Sequence, residues 1–226
     1  MMVFTDVLTK MKISQKWLER LQKNLQLSGG VKVAFNKGNG VPSLMKGKRL
    51  NSNLSLSGPQ PNDALSVARQ FFSENRELMK IDVPTDEFRL VRQNIGERGK
   101  KHLYFQQTVK GVPYWGKNVV VHLNESSDVY FFQGRYEPSL KNLGVAPKLV
   151  AAEAEEIVRQ KFFANAVSSL QSELVVYSSE TVNPVLTYKV DIVSGMDQRW
   201  IYFVDAESGV VVHRINNIHH AGELVS

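Results

Sequence analysis

The chain has 226 residues, 42% of them hydrophobic and 22% charged, an ordinary globular composition that excludes a disordered chain, a collagen-like repeat and a coiled coil. It contains no cysteine, which excludes a disulfide framework, a cysteine-ligated zinc site and thiol catalysis, and no apolar run reaches the ~18 residues of a membrane-spanning helix. The net charge of +6 is uneven, because residues 1–50 hold ten Lys and Arg against Asp6 and Glu19 alone; these cations are dispersed, with only Phe4, Trp17 and Phe35 among them, which is a solvated basic surface or one facing an acidic partner and not a nucleic-acid stacking platform.

The length accommodates one large domain or two small ones, and a chain of this size buries roughly 70% of its unfolded surface without needing a metal or a disulfide. Met1 to Lys12 lacks a continuous apolar stretch before a small-residue cleavage site, so an exported form is expected to carry its leader outside this chain. Ile13, Trp17, Leu21 and Leu25 recur at spacings of four and predict a helix over 6–27. Ser28-Gly29-Gly30 stops it. Val31 to Phe35 alternates as a strand, Asn36 to Gly40 is a turn cluster, and Val41 to Leu50 reads as a second strand with Pro42 at its start.

Asn51 to Pro61, rich in Asn, Ser, Gly and Pro, reads as a linker. Asn62 or Asp63 then caps a helix over ALSVARQFFSENRELM, with Leu65, Ala68, Phe72 and Leu78 on one face. From Phe88 the pattern changes to period two, and four antiparallel strands follow: FRLVRQNI, KHLYFQQTVKG, VPYWGKNVVVHLN and DVYFFQGRYEP. The segment around Gly144 and Pro147 reads as a domain boundary. The grammar then repeats. A helix is predicted over LVAAEAEEIVRQKFFANAV, then strands in ELVVYSSE, in NPVLTYKVDIVS and in a hairpin turning at Asp205 to Gly209. Two units, each a helix with an antiparallel meander, form an α+β layer architecture.

The chemistry-bearing residues converge on no active-site motif. His122 and His213 fall within predicted strands beside apolar neighbours, where a lone histidine is expected to be structural. No H-E-x-x-H is present, and adjacent His219 and His220 in an extended segment point in opposite directions, so no intrinsic metal site is expected. There is no G-x-S-x-G and no phosphate-binding G-x-x-x-x-G-K-[ST]. Glu153, Glu155 and Glu156 sit in the first turns of a helix, where carboxylates complement the macrodipole. The expectation is a non-enzymatic chain without cofactors.

Two stretches together resemble a known family. GKKHLYFQQTVKGVPYWGKNVVVHLN, with His102, Phe105, Gln106, Gln107, Gly111, Val112, Pro113, Gly116 and Val119 to His122 at the matching positions, resembles the fungalysin/thermolysin propeptide module. PVLTYKVDIV and RWIYFVDAESGVVVHRIN, carrying Pro184, Leu186, Tyr188, Val190, Trp200, Tyr202, Val204, Asp205, Ala206 and Gly209, are similar to the PepSY module that follows it in thermolysin-family (M4) proproteins. The likeness covers residues 31–220, VPSLMKGKRL included. It departs at Tyr104, where the family often has a basic residue.

The resemblance implies two cystatin-like subdomains in tandem: a basic N-terminal region with two strands and a linker over 1–60, a propeptide-like domain over 61–143, a PepSY-like domain over 144–220, and 221–226 as a tail or the start of a mature enzyme. It implies a prodomain of a secreted or periplasmic zinc metallopeptidase, acting as intramolecular chaperone and inhibitor, with the catalytic domain as its partner. For Ile218, His219, His220 and Ala221 two readings are open: a polar tail after the last strand, or the inhibitory and scissile junction that such precursors have there, with His220–Ala221 as the bond. A free-standing exported module that inhibits peptidases or binds peptides in trans is the alternative function.

Overall fold

The computed structural model describes residues 30–51, 63–161, 167–194 and 198–217. The predicted helix over 6–27, most of the linker and the segment from Ile218 onward lie outside the described residues. The chain divides into two compact units. The first runs to Gly111 and resumes over Gly116–Leu140, and the second takes Val112–Trp115 and begins again at Lys141. Both are mixed α/β and mostly sheet.

The first unit contains β1 (Lys32–Phe35), β2 (Pro42–Lys46), α1 (Ala64–Met79), the single turn α2 (Pro84–Glu87), β3 (Phe88–Ile95), β4 (Lys101–Val109), most of β5 (Val112–Leu123) and β6 (Val129–Arg135). Its sheet runs β1-β2-β6-β5-β4-β3. The pairs β1–β2, β2–β6, β5–β6 and β3–β4 are antiparallel. Met45 opposite Phe132 places the two leading strands in the same sheet as the four that follow the helix.

Helix α1 starts where the sequence places a cap. The Asp63 carboxylate accepts the Leu65 backbone N–H at 3.1 Å and the Ser66 hydroxyl at 3.0 Å, and the backbone bond first of all holds this carboxyl below its usual range. The helix stops at Lys80, which turns left-handed at φ 55° and returns its N–H to the Arg76 and Glu77 carbonyls. Its buried face is Ala64, Ala68, Phe71, Phe72, Asn75, Leu78 and Met79. The stripe is thus centred between Phe71 and Phe72, and Leu65 packs at its margin. Phe72 stacks on Phe88 at 4.7 Å and meets the edges of Phe105 at 5.0 Å and Phe132 at 6.4 Å. The period-two pattern is realised in β4, where Leu103, Phe105 and Gln107 are buried, and in β5, where Val119, Val121 and Leu123 are.

The second unit contains the first residues of β5, α3 (Ala151–Lys161), β7 (Val167–Tyr177), β8 (Val185–Ser194), β9 (Gln198–Asp205) and β10 (Val211–Asn216). Strands β7 to β10 form an antiparallel meander. Tyr114 of β5 pairs with Val176 of β7 in parallel, so the unit departs from the purely antiparallel expectation. Strand β7 begins at Val167, inside the stretch read as helix and six residues before the predicted strand. Its polar half, Ser169 to Ser172, is held in register by Val193 to Val190 of β8, a non-local pairing that overrides local pattern.

Helix α3 lays Ala154 and Val158 on Tyr188, Val190, Ile192, Tyr202 and Val204. The opposite sheet face carries its own cluster of Val175, Tyr177, Ile201 and Phe203, with Trp115 against it. The glutamates of α3 act locally. Glu153 accepts the Val150 N–H at 2.8 Å, Glu155 the Ser172 hydroxyl at 2.6 Å, and Glu156 pairs with Arg159 at 3.4 Å.

Phe72 is the hub of the first core, so Phe72→Ala is expected to cost about 3–5 kcal/mol. Urea unfolding followed by amide protection of β4 to β6 reads this directly; a loss below about 1 kcal/mol would show that the aromatic cluster is not the main core contact.

Candidate functional site

The family-motif positions of the first unit lie on β4, β5 and the turn between them. Lys110 at φ 49° and Gly111 at φ 88° form the two-residue loop joining these strands, and two successive left-handed residues are what a tight type I′ hairpin requires. Gly111 is in the motif because its conformation strains any side chain. Pro113 follows as the second residue of β5, at a strand start where a missing N–H is tolerated.

Gln106 and Gln107 are adjacent and point to opposite faces of the sheet. Gln107 lies among core residues, only 1% exposed, and its amide grips one peptide group from both sides. Its Nε2 donates to the Glu137 carbonyl at 2.8 Å, and its Oε1 accepts the Glu137 N–H at 2.9 Å. Gln106 donates to the Lys117 carbonyl at 2.9 Å and to the Gln107 carbonyl at 3.0 Å.

The segment leaving β6 is fixed by further contacts. The Glu137 carboxylate takes Lys117 Nζ at 2.5 Å and Asn39 Nδ2 at 2.8 Å, and Asn39 also donates to the Tyr136 carbonyl at 2.9 Å. Lys80, at the end of α1, donates to the Asn39 carbonyl at 2.7 Å. Ser139 gives its N–H to the Lys80 carbonyl at 3.0 Å and its hydroxyl to Glu87, which also accepts the N–H groups of Asp82 and Val83 at 2.9 Å. The buried Tyr136 hydroxyl has no partner among the described residues, and burial pushes its phenol well above the usual range.

On the outer face His102 Nδ1 lies 2.6 Å from His122 Nδ1, so His122 is a hydrogen-bonded strand residue whose partner is a second histidine. Burial first, and the neighbouring His102 second, lower the His122 pKa to about 4. Tyr104 carries the Arg92 guanidinium over its ring at 4.0 Å, so a cation from β3 covers the position where the family often has a basic side chain.

In the second unit Trp200 and Tyr202 lie two apart on β9, rings 6.5 Å apart, with Arg214 over Trp200 at 5.4 Å. Asp205 organises the β9–β10 turn, its carboxylate accepting the N–H groups of Glu207 at 2.9 Å and Ser208 at 2.7 Å. Gly209 turns left-handed at φ 73°, and a Cβ there would sit 2.9 Å from Ile157 Cδ1 of α3; a glycine here therefore allows close approach of turn and helix. His213 stacks on Tyr177 at 5.4 Å.

The residues quoted for the resemblance thus serve as architecture in each unit, in hydrogen bonds, turns and ring contacts. Ile218, His219, His220 and Ala221 lie outside the described residues. Among the described residues no group of three or more His, Cys, Asp or Glu is placed to hold a metal ion, and no helix is long and apolar enough to cross a membrane. Sequence reasoning missed Asn39, Lys117, Glu137 and the pairing of the two histidines. No local spacing marks them, since Gln107 and Glu137 are 30 residues apart.

Residues 86–136 match the Fungalysin/Thermolysin Propeptide Motif family. The chain is similar to the bacillolysin of Bacillus subtilis strain 168, 28% identical over 71% of this chain and 32% of that protein. It is also similar to the thermolysin of Alicyclobacillus acidocaldarius subsp. acidocaldarius, 28% identical over 58% of this chain and 26% of that one. A solved structure, the Bacillus megaterium YpeB C-terminal domain, matches over 92% of this chain and 98% of its own with 13% identity and a TM-score of 0.40. The chain spans about a third of the length of the bacillolysin it matches. The motif and these relatives support a thermolysin-family propeptide, and a propeptide motif is consistent with a non-catalytic chain.

Gln107→Leu keeps the volume but orphans both backbone groups of Glu137, at about 1–3 kcal/mol for each. Gln106→Leu, at a half-buried position, is expected to cost less than half as much. Urea midpoints of the two variants check the order, and the reverse ranking would refute the clamp.

Proposed function

We propose that this chain is the prodomain of an exported thermolysin-like zinc metallopeptidase, serving as intramolecular chaperone and as inhibitor until it is cleaved. One observation supports this above the others: residues 86–136 match a propeptide motif, and the motif's Gln106, Gln107 and Gly111 are spent on internal hydrogen bonds and a turn. A module whose polar residues fix its own shape works by presenting a surface. The second unit is proposed as PepSY-like, and the two as cystatin-like subdomains in tandem, over the residue ranges given above.

The physical task is to lower the barrier for folding a partner and then hold its cleft closed. A preorganised domain does both cheaply, because little of its own freedom is lost on association. The segment Ile218, His219, His220 and Ala221, attached to the last strand, would be delivered into the cleft as an extended peptide, and His220–Ala221 is the bond proposed to be cut. The basic excess of residues 1–50 fits an acidic catalytic domain, steering association in a salt-dependent way.

The test is to mix the chain with a separately produced bacillolysin-type catalytic domain. Slow-onset inhibition and improved recovery of activity on refolding are expected, both weakening from low to high ionic strength. Deleting Ile218 to Ser226 is expected to leave the fold intact and reduce inhibition. No inhibition and no refolding assistance would overturn the proposal in favour of a free-standing module; salt-independent affinity would overturn the electrostatic part alone.

A further inference from the structure

We propose that His102 and His122 form an acid-sensitive latch on the outer face of the first unit, tying β4 to β5 at neutral pH and releasing them on acidification. The Nδ1 atoms face each other at 2.6 Å, so one ring must donate and the other accept. His122 Nε2 is buried with no hydrogen-bond partner among the described residues. The neutral pair satisfies this best with the proton on His122 Nδ1, donated to His102, because His122 Nε2 then carries no hydrogen that burial would orphan.

Added protons have no comfortable place in this arrangement. One more keeps a hydrogen bond between the rings, whichever of the two donates, only by placing a proton on the buried His122 Nε2, where it has no acceptor among the described residues. A second puts N–H against N–H and charge against charge. The His122 ring also lies 5.2 Å from Phe131 and 6.2 Å from Tyr130, apolar surroundings that disfavour an imidazolium.

The other groups on this side offer little relief. Asn94 of β3 is opposite His102, and Lys46 of β2 is opposite Phe131. Lys100 lies 5.9 Å over the Tyr130 ring, Arg92 covers Tyr104, and Lys101 precedes His102. The turn beyond holds Glu97 and Arg98, both exposed. On the turn between β5 and β6, Glu125 is exposed and Asp128 is held by Arg49 at 2.6 Å, so the cations on this side outnumber the carboxylates. Helix α1 packs on the opposite sheet face, with Leu103, Phe105, Val121 and Leu123.

The direction of the pH effect follows from the depressed folded-state pKa. Between the ordinary imidazole value of 6.5 and about 4 the unfolded chain binds a proton that the folded chain refuses, so stability of the first unit is retained above that window and is lost as pH falls through it. If the chain is a prodomain, as proposed above, the latch is a route by which acidity loosens its hold on the enzyme. The test uses the chain alone and therefore stands or falls separately from that function.

NMR titration of the histidine ring protons and amide hydrogen exchange of β4 to β6 are to be measured from pH 8 downward. The expected result is a His122 midpoint near 4 and an opening of these strands that grows by up to about tenfold per pH unit below pH ~6.5. His122→Phe should abolish that slope, and His102→Gln should lessen it while moving the His122 midpoint up. A His122 midpoint at the ordinary value in the unmodified chain overturns the latch without recourse to any variant. So does an unchanged slope in His122→Phe.

Discussion

A primary amide in an apolar core is tolerated only when its polar atoms are paired, and Gln107 meets this condition by closing on both backbone groups of Glu137. Around that peptide the first unit converges. β4 supplies the amide, β5 supplies Lys117, the β1–β2 turn supplies Asn39, and the end of α1 supplies Lys80. A shift of the segment leaving β6 would therefore break contacts to four elements at once. In a low-dielectric setting such a network gains more than its separate bonds would in water, and loses more when one member is removed.

This economy explains why the chain has many polar side chains in special places and no converging reactive group among the described residues. Asp63 is consumed by a helix cap, Asp205 by a turn, Glu153 by the start of α3 and Gln106 by a strand carbonyl. Each has a short-range partner that accounts for it. Carboxylates used catalytically show the opposite trait, a carboxyl left poised towards a cleft without such a structural partner.

The extent to which the fold was legible in the sequence follows from the range of the interactions. Asp63, the helical stripe of α1, the strand runs β3 to β6 and the Asp205 turn are local signals, and they are found where the pattern puts them. Strand β7 was legible only in its apolar half, because Ser169 to Ser172 become a strand by pairing with β8. The parallel bridge of Tyr114 to Val176 and the grip of Gln107 on Glu137 join residues far apart in the chain, and no periodicity encodes them. The histidine pair is of the same kind. His102 and His122 each look ordinary alone, and only the pairing of β4 with β5 brings them together.

That pairing also separates two kinds of polar burial in one sheet. On the core face Gln107 has fixed partners and no titratable group, so its contribution is independent of pH. On the outer face the imidazoles depend on a proton count that solvent can change, and one of their nitrogens has no partner among the described residues. An apolar pair at these positions would avoid both the orphaned nitrogen and the acid sensitivity, as replacement of buried polar pairs by packed side chains often does. The histidines therefore carry a stability cost that packing alone does not require. The same cost is what makes the strands they join responsive to acid, while the clamp on Glu137 is not.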